Sequence, residues 1–543
     1  MFLNPVNKVQ RHTATASTLE SRAQQLARLT PLLCAQVWAL LLCLPVLSRM
    51  ITPIGRYIHF ITLGDVIMQC VYALLLGLAL WIVGLALWET SRTWFCRIAP
   101  PLSYVTFAAI TWRLGVFYNA ESPTPLADHV TFGRYVLATS LVGALLVGLV
   151  AWRRWTARQV TQSVARISLC LSPLVPLFWF NAIRLPVYPA APETAAPLLE
   201  HRSQPVPDEN VFIFVFDAWP TRLTYDADQV VDRLPHLRGL SQTANLFTQA
   251  YSPGEKTLAS MPLFLYQTGD PYGWIKYQPG FKKGNTFHAS KVLPNMFTAA
   301  REQGYRTYML GSYHAYHVML GDSVGQITST SYFDFFGDGW LDDAAEFYCM
   351  ATTDVVGNTL SKYVFGSYAL ERNCSIARQM EILLAETGKM IASPGTGKFA
   401  VIHVPLPHYP FCYNEDGSLR PVLTEYDRES EELLRGHLAY TDKVLGNLLQ
   451  QLKQTDQFDN STIVVTADHN WRGDPQLVDG PAAMLRHVPL IVKMPGQSTG
   501  QVVTRDVSTT RLMKLMEYLS QPDGLQQIAS DNSLAVPPRT PSE

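Results

Sequence analysis

Two stretches, Val211-Phe-Ile-Phe-Val-Phe-Asp217 and Ser461-Thr-Ile-Val-Val-Thr-Ala-Asp468-His469, decide the fold. Each is an unbroken run of apolar and β-branched residues ending in a carboxylate, the second with a histidine behind it. Runs of this kind read as strands buried on both faces, as in a parallel sheet. In open α/β sheets, ligands bind at the carboxyl ends of the strands. Asp217, Asp468 and His469 at two such ends therefore point to a divalent metal. Between them, Ser252-Pro-Gly-Glu-Lys-Thr257-Leu-Ala-Ser260-Met-Pro262 offers a hydroxyl, Thr257, where a helical pattern begins.

Outward from these stretches, further strand-like runs occur at 305–310, 399–404 and 489–493. Helical patterns occur near 257–267, 293–303, 375–392, 429–453 and 508–519. Such alternation predicts an α/β domain, a largely parallel sheet between helices. Residues 312–372, rich in Gly, Asp and aromatics, show no clear period. The expected division is a membrane domain over 1–184, a Pro/Ala-rich linker over 185–209, a catalytic domain over 210–525 and a disordered tail over 526–543.

The N-terminal part carries apolar stretches near 31–48, 66–88, 100–119, 134–152 and 167–183, each about the length of a bilayer span. Basic residues (Lys8, Arg11, Arg22, Arg28; Arg92, Arg97; Arg153, Arg154, Arg158) fall in the loops expected inside, so the domain after Arg184 is expected outside. One stretch lying along the surface would invert that topology. With a net charge of -1, no basic field points to nucleic acid. No CxxC pair occurs among the eight cysteines. Cys349 and Cys374 either pair outside the cytoplasm or remain free thiols.

Phosphorus and sulfur esters resist a neutral hydroxyl. A cation bound to that hydroxyl lowers its pKa and neutralises the non-bridging oxygens under attack. Thr257, Asp217, Asp468 and His469 supply the donors, and Lys256 adds positive charge beside a helix start that itself favours anions. Singly, Thr257 reads as an N-cap, Asp217 as a turn residue and Asp468-His469 as a surface loop. Together they meet the demands of one site.

The residues from 210 to 496 resemble the alkaline-phosphatase and sulfatase superfamily, and within it the membrane-bound phosphoethanolamine and phosphoglycerol transferases. Asp217 matches the first metal-ligand position, where those transferases more often carry Glu. Thr257, in Thr-x-x-Ser-x-Pro, matches the nucleophile, and Asp468-His469 matches the metal pair. His408, in Pro407-His408-Tyr409-Pro410, matches a histidine that binds the head group or protonates the leaving group. The usual Gly after Asp-His is Asn470 here. Arg472, His403 and His487 are candidates for substrate contact, and His403 equally for a second metal. Tyr251 stands where a formylglycine sulfatase needs Cys or Ser, which disfavours that chemistry.

The resemblance implies one divalent ion, Zn2+ or Mn2+. It implies a phospholipid donor, a glycan or lipid acceptor, a covalent threonine intermediate and a multi-pass chain in a bacterial inner membrane with its catalytic domain in the periplasm. A periplasmic phosphoric or sulfuric ester hydrolase, or a catalytically weak lipid sensor or scaffold, stands as the alternative.

Overall fold

A computed structural model of the chain describes residues 32–40, 43, 63–90, 172, 175–176, 204–275, 278–330, 375–420, 430–474 and 482–535. They fall into two units, the N-terminal segments in one and residues 204 onward in the other.

In the first unit, helix α1 (Leu63–Thr90) has 28 residues. Its stretch Val66–Ala86, 21 residues with mean hydropathy 2.4, is long and apolar enough to cross a bilayer, and among the described residues it is the one helix that is. Its apolar side chains face outward as well as inward, with Ile67, Leu74, Ile82 and Val83 all exposed. A helix apolar all round needs lipid or a large core around it. The spans expected at 100–119 and 134–152 lie outside the described residues, as do most of that at 167–183, most of the linker and, in the stretch 31–48, residues 31, 41–42 and 44–48.

The second unit is built on strands β1 (Asn210–Asp217), β2 (Asn245–Tyr251), β3 (Arg306–Ser312), β4 (Gln326–Thr330), β5 (Lys398–Pro407), β6 (Ser461–Ala467), β7 (His487–Lys493), β8 (Gln501–Val503) and β9 (Val507–Ser508). They form one sheet in the order β8-β2-β7-β6-β1-β5-β3-β4, with β9 also on β2. Strand β1 lies between β5 and β6 and is parallel to both. All three are buried along their whole length, as their largely apolar sequences favour, with Lys398 and His403 as buried polar residues of β5. Strand β3 continues the parallel half to β4. Strand β7 runs antiparallel to both β6 and β2, so the sheet is mixed but largely parallel.

The helices relevant to the site and its support are α2 (Pro235–Ser241), α3 (Thr257–Leu265), α4 (Met296–Glu302), α5 (Ser375–Ala392), α6 (Glu431–Gln454), α7 (Leu512–Leu519) and α8 (Gly524–Ser530). Helix α6 buries Leu434, Leu438, Leu445, Leu448, Leu449 and Leu452 along one stripe. Ser430 caps its first turn, and Glu431 and Glu432 sit at its positive end. The expected tail is a correction: α8 and the turn after it continue the fold past 526, with Ile528 and Leu534 fully buried.

Helix α2 has no side-chain cap of its own. Asp442, from the middle of α6, instead accepts the backbone N–H groups of His236 (3.0 Å) and Leu237 (2.8 Å). A carboxylate from one helix thus satisfies the orphan donors of another. Asp442→Ala is expected to lower stability by about 1–3 kcal/mol in denaturant unfolding, the cost of losing a cap and leaving buried donors unmade. An unchanged unfolding midpoint would show that the contact carries no weight.

Candidate functional site

The carboxyl ends of β1 and β6 are laced together. The Asp468 N–H, just past β6, donates to Phe216 O on β1 (3.0 Å). Pairing between β1 and β5 slips between Phe216 and Asp217, from Phe216 opposite Val404 to Asp217 opposite Pro407. Such an irregularity re-aims a side chain at a strand end. Ala218 then adopts a left-handed φ of 61° and donates its N–H to Asp468 Oδ1 (3.1 Å). The His469 N–H donates to the same oxygen (2.7 Å). Asp468 Oδ2 is left buried with no hydrogen-bond partner.

Thr257 opens α3 and is buried. Its Oγ1 lies 3.4 Å from Asp217 Oδ1 and 3.3 Å from His469 Nε2. His469 Nε2 is 3.5 Å from Asp217 Oδ1 and 3.7 Å from Asp468 Oδ2. The four expected ligands therefore meet at one point. Ser260, one turn into α3, donates its hydroxyl to Asp468 O and so docks the helix on the loop.

His403, fully buried within β5, joins them from beneath. Its Nε2 is 4.0 Å from Asp468 Oδ2 and has no hydrogen-bond partner. Ligand atoms of Asp217, His403 and Asp468 all lie within 4.8 Å of one another. The sequence reading gave His403 as a substrate contact or, equally, as a ligand to a second metal. Its full burial beside Asp468 agrees with the second of these.

Backbone carbonyls settle which histidine nitrogens carry hydrogen, because a carbonyl only accepts. His469 Nδ1 is 2.7 Å from Asn470 O, and His403 Nδ1 is 3.1 Å from Ser312 O. Both Nδ1 atoms are therefore the donors, and both Nε2 lone pairs point at the carboxylates. Two lone pairs and two carboxylates facing one another in a buried space repel unless a cation sits among them. Oxygen and imidazole donors with carbonyl-anchored rings fit a zinc- or manganese-type ion, and the donor set does not separate the two.

Electrostatics agree. Burial, then repulsion from Asp468, pushes the Asp217 carboxyl up to about 8 in the cation-free chain. Burial raises the Asp468 carboxyl, but the group is held below the usual range, with the Ala218 N–H on Oδ1 favouring its charged form. Burial pushes His403 down, which keeps its imidazole neutral and able to ligate.

Around the mouth, Lys256 and Arg472 are exposed. Burial and then the charge of Arg472 push the Lys256 ammonium down, so two cations share this rim. His408 is half-buried, its ring 6.5 Å from that of His469, and its Nδ1 donates to Tyr409 O. His487 is not part of the cluster. Its Nε2 donates to Thr248 O (2.8 Å) and its ring stacks on Tyr251 at 5.2 Å. Asn470, the departure after Asp-His, is tied down: its Nδ2 donates to Met484 O (2.9 Å) and its Oδ1 accepts the Trp471 N–H (2.7 Å). Cys349 and Cys374 lie outside the described residues.

Sequence reasoning missed His314. Fully buried after β3, it donates Nε2–H to Thr257 O (2.9 Å). It stands in a stretch with no periodicity, and nothing in the sequence marks it.

The family model described as Sulfatase matches residues 210–518. No curated protein sequence matches the chain. Among solved structures it is similar to the phosphonate monoester hydrolase of Agrobacterium radiobacter (16% identity, covering 56% of this chain and 72% of that one, TM-score 0.37). It is also similar to the lipoteichoic acid synthase LtaP from Listeria monocytogenes (16%, 57% and 71%, TM-score 0.35) and to the PsFucS1 sulfatase from Pseudoalteromonas sp. (16%, 58% and 68%, TM-score 0.37).

Binding of a cation needs Asp217 ionised. Below about pH 8 the cation-free carboxyl holds a proton, so zinc binding is expected to release it and to tighten as pH rises toward that value. Calorimetry in two buffers of different ionisation enthalpy measures the release. Identical apparent enthalpies near neutral pH would refute the linkage.

Proposed function

The chain belongs to the sulfatase family of the alkaline-phosphatase superfamily, enzymes that act on phosphate and sulfate esters, and from that premise we propose that it moves a phospho-head-group from a phospholipid to a glycan or lipid acceptor. The observation that carries this reading is the Thr257 hydroxyl, at a helix start, between Asp217 and His469. Lys256 and Arg472 at the rim favour an anionic substrate. The apolar helix α1 supports a membrane anchor, which would keep the enzyme among lipid donors. The assignment of 1–184 to the membrane, 185–209 to a linker and the remainder to a catalytic domain outside the cytoplasm belongs to the same proposal.

Asp217, Thr257, Asp468 and His469 would hold the divalent ion, with His403 completing the set from below. When bound, the ion supplies Lewis acidity that eases deprotonation of the threonine and draws charge from the phosphoryl oxygens. Thr257 Oγ1 gives its proton to Asp217 Oδ1, 3.4 Å away, and forms a bond to phosphorus as the bond to the lipid oxygen breaks; it takes that proton back when the acceptor displaces it. His408, with Nδ1 already committed to Tyr409 O, carries its mobile proton on Nε2 and delivers it to the departing oxygen. The acceptor hydroxyl then gives its proton to His408, bonds to phosphorus and frees Thr257. The α3 N-terminus and Lys256 hold the non-bridging oxygens.

Thr257→Ala is expected to lower head-group release from phosphatidylethanolamine and phosphatidylglycerol vesicles by about 10³-fold or more, and Thr257→Ser by much less. Mass spectrometry of the Thr257 peptide after exposure to those lipids should show the transferred group. Undiminished turnover in the alanine variant would refute the role. Head group found only free, with no acceptor labelled, would make the chain a hydrolase.

A further inference from the structure

We propose that His314 is a positioning residue that sets the Thr257 hydroxyl in register with the cation site, a role that rests on the reading of Thr257 as nucleophile. The first turn of α3 is weakly held by its own sequence. Lys256, at the N-cap, provides no side-chain cap. Pro262 lies inside the helix and lacks the N–H that the carbonyl of Leu258 would otherwise accept. A turn built this way frays unless something outside it holds the backbone.

The outside support is the segment Ser312–Tyr316, which leaves the carboxyl end of β3. The chain turns sharply there, with Tyr313 at a left-handed φ of 75°, a conformation that bulky residues adopt only when their surroundings impose it. The turn sends three groups to the site. His314 donates Nε2–H to Thr257 O (2.9 Å). Ser312 O accepts the Nδ1–H of His403 (3.1 Å), and the Tyr316 hydroxyl oxygen lies 2.8 Å from the same nitrogen. Gly311 makes room for this arrangement. A Cβ there would lie 2.7 Å from the Tyr316 ring and 2.9 Å from His403 Cβ.

One short strap therefore fixes the carbonyl of Thr257 and the ring orientation of His403. Its geometry is transmitted through Thr257 ψ to the distances from Oγ1 to Asp217 and His469. A hydroxyl displaced by about 1 Å from its productive place loses on the order of 10²-fold in rate while binding is little changed.

The test uses the full chain in detergent with zinc, bis(p-nitrophenyl) phosphate as probe, and the variants Thr257→Ala, His314→Ala and His314→Gln. His314→Ala is expected to lower kcat about 10- to 100-fold with KM within about twofold. His314→Gln, whose amide N–H reaches the same carbonyl, is expected to recover kcat to within about fivefold of wild type. Wild-type kcat in His314→Ala, with Thr257→Ala inactive, overturns the positioning role alone. A wild-type chain inert to the probe, or activity surviving Thr257→Ala, overturns the nucleophile reading and this role with it. Should alanine at 314 prevent folding, the glutamine variant decides: kcat near wild type supports the role, and a loss beyond about tenfold overturns it.

Discussion

Four electron-rich groups, the carboxylates of Asp217 and Asp468 and the Nε2 lone pairs of His403 and His469, meet in a buried space. Nothing in that space donates a hydrogen bond to Asp468 Oδ2 or His403 Nε2. Such a cluster is unfavourable in the folded chain unless positive charge enters it. Part of the penalty is visible in Asp217, whose carboxyl is pushed up by burial and by its neighbour. The group is consistent with a metal site, and the surrounding structure can be understood as the framework that holds these side chains together.

That framework has three parts. The parallel strands β1, β5 and β6 bring the carboxylates and His403 to one end of the sheet. Backbone groups then fix each ligand: Ala218 N–H and His469 N–H on Asp468 Oδ1, Asn470 O on His469, Ser312 O on His403. Finally α3, the helix that Thr257 opens, is pinned from two sides, by the Ser260 hydroxyl on Asp468 O and by His314 on Thr257 O. Rigid supports of this kind matter because both metal affinity and in-line attack depend on sub-ångström placement.

The elements legible in the sequence share a property: their pattern is local. The runs ending at Asp217 and Asp468 are apolar throughout because both faces of a central strand are covered. Helix α6 shows a leucine stripe, and α5 shares its amphipathic character. Strand β2 was not anticipated, since Asn245-Leu-Phe-Thr-Gln-Ala-Tyr251 mixes polar and apolar residues without clean alternation. The reversed direction of β7 was equally hidden, because a buried strand has the same composition whichever way it runs. The end of the fold lies beyond 526 because Ile528 and Leu534 are buried by contacts that their polar neighbours do not announce.

For the site, the sequence by itself singled out Asp217, Thr257, Asp468 and His469, which stand at strand ends and at a helix start, positions that local periodicity reveals. Only the tertiary structure decided which other groups join them. His403, a candidate by residue type, lies within a strand whose pattern does not say what it meets, and His314 lies in an aperiodic turn with no local signal. His403 is brought to the cluster by strand pairing, and His314 by the turn after β3. The same distance of chain hides His487, a plausible ligand by type, whose ring is spent on Thr248 and Tyr251. Residue type and local pattern are properties of neighbours along the chain, whereas coordination depends on neighbours across the sheet, and these the fold alone assigns.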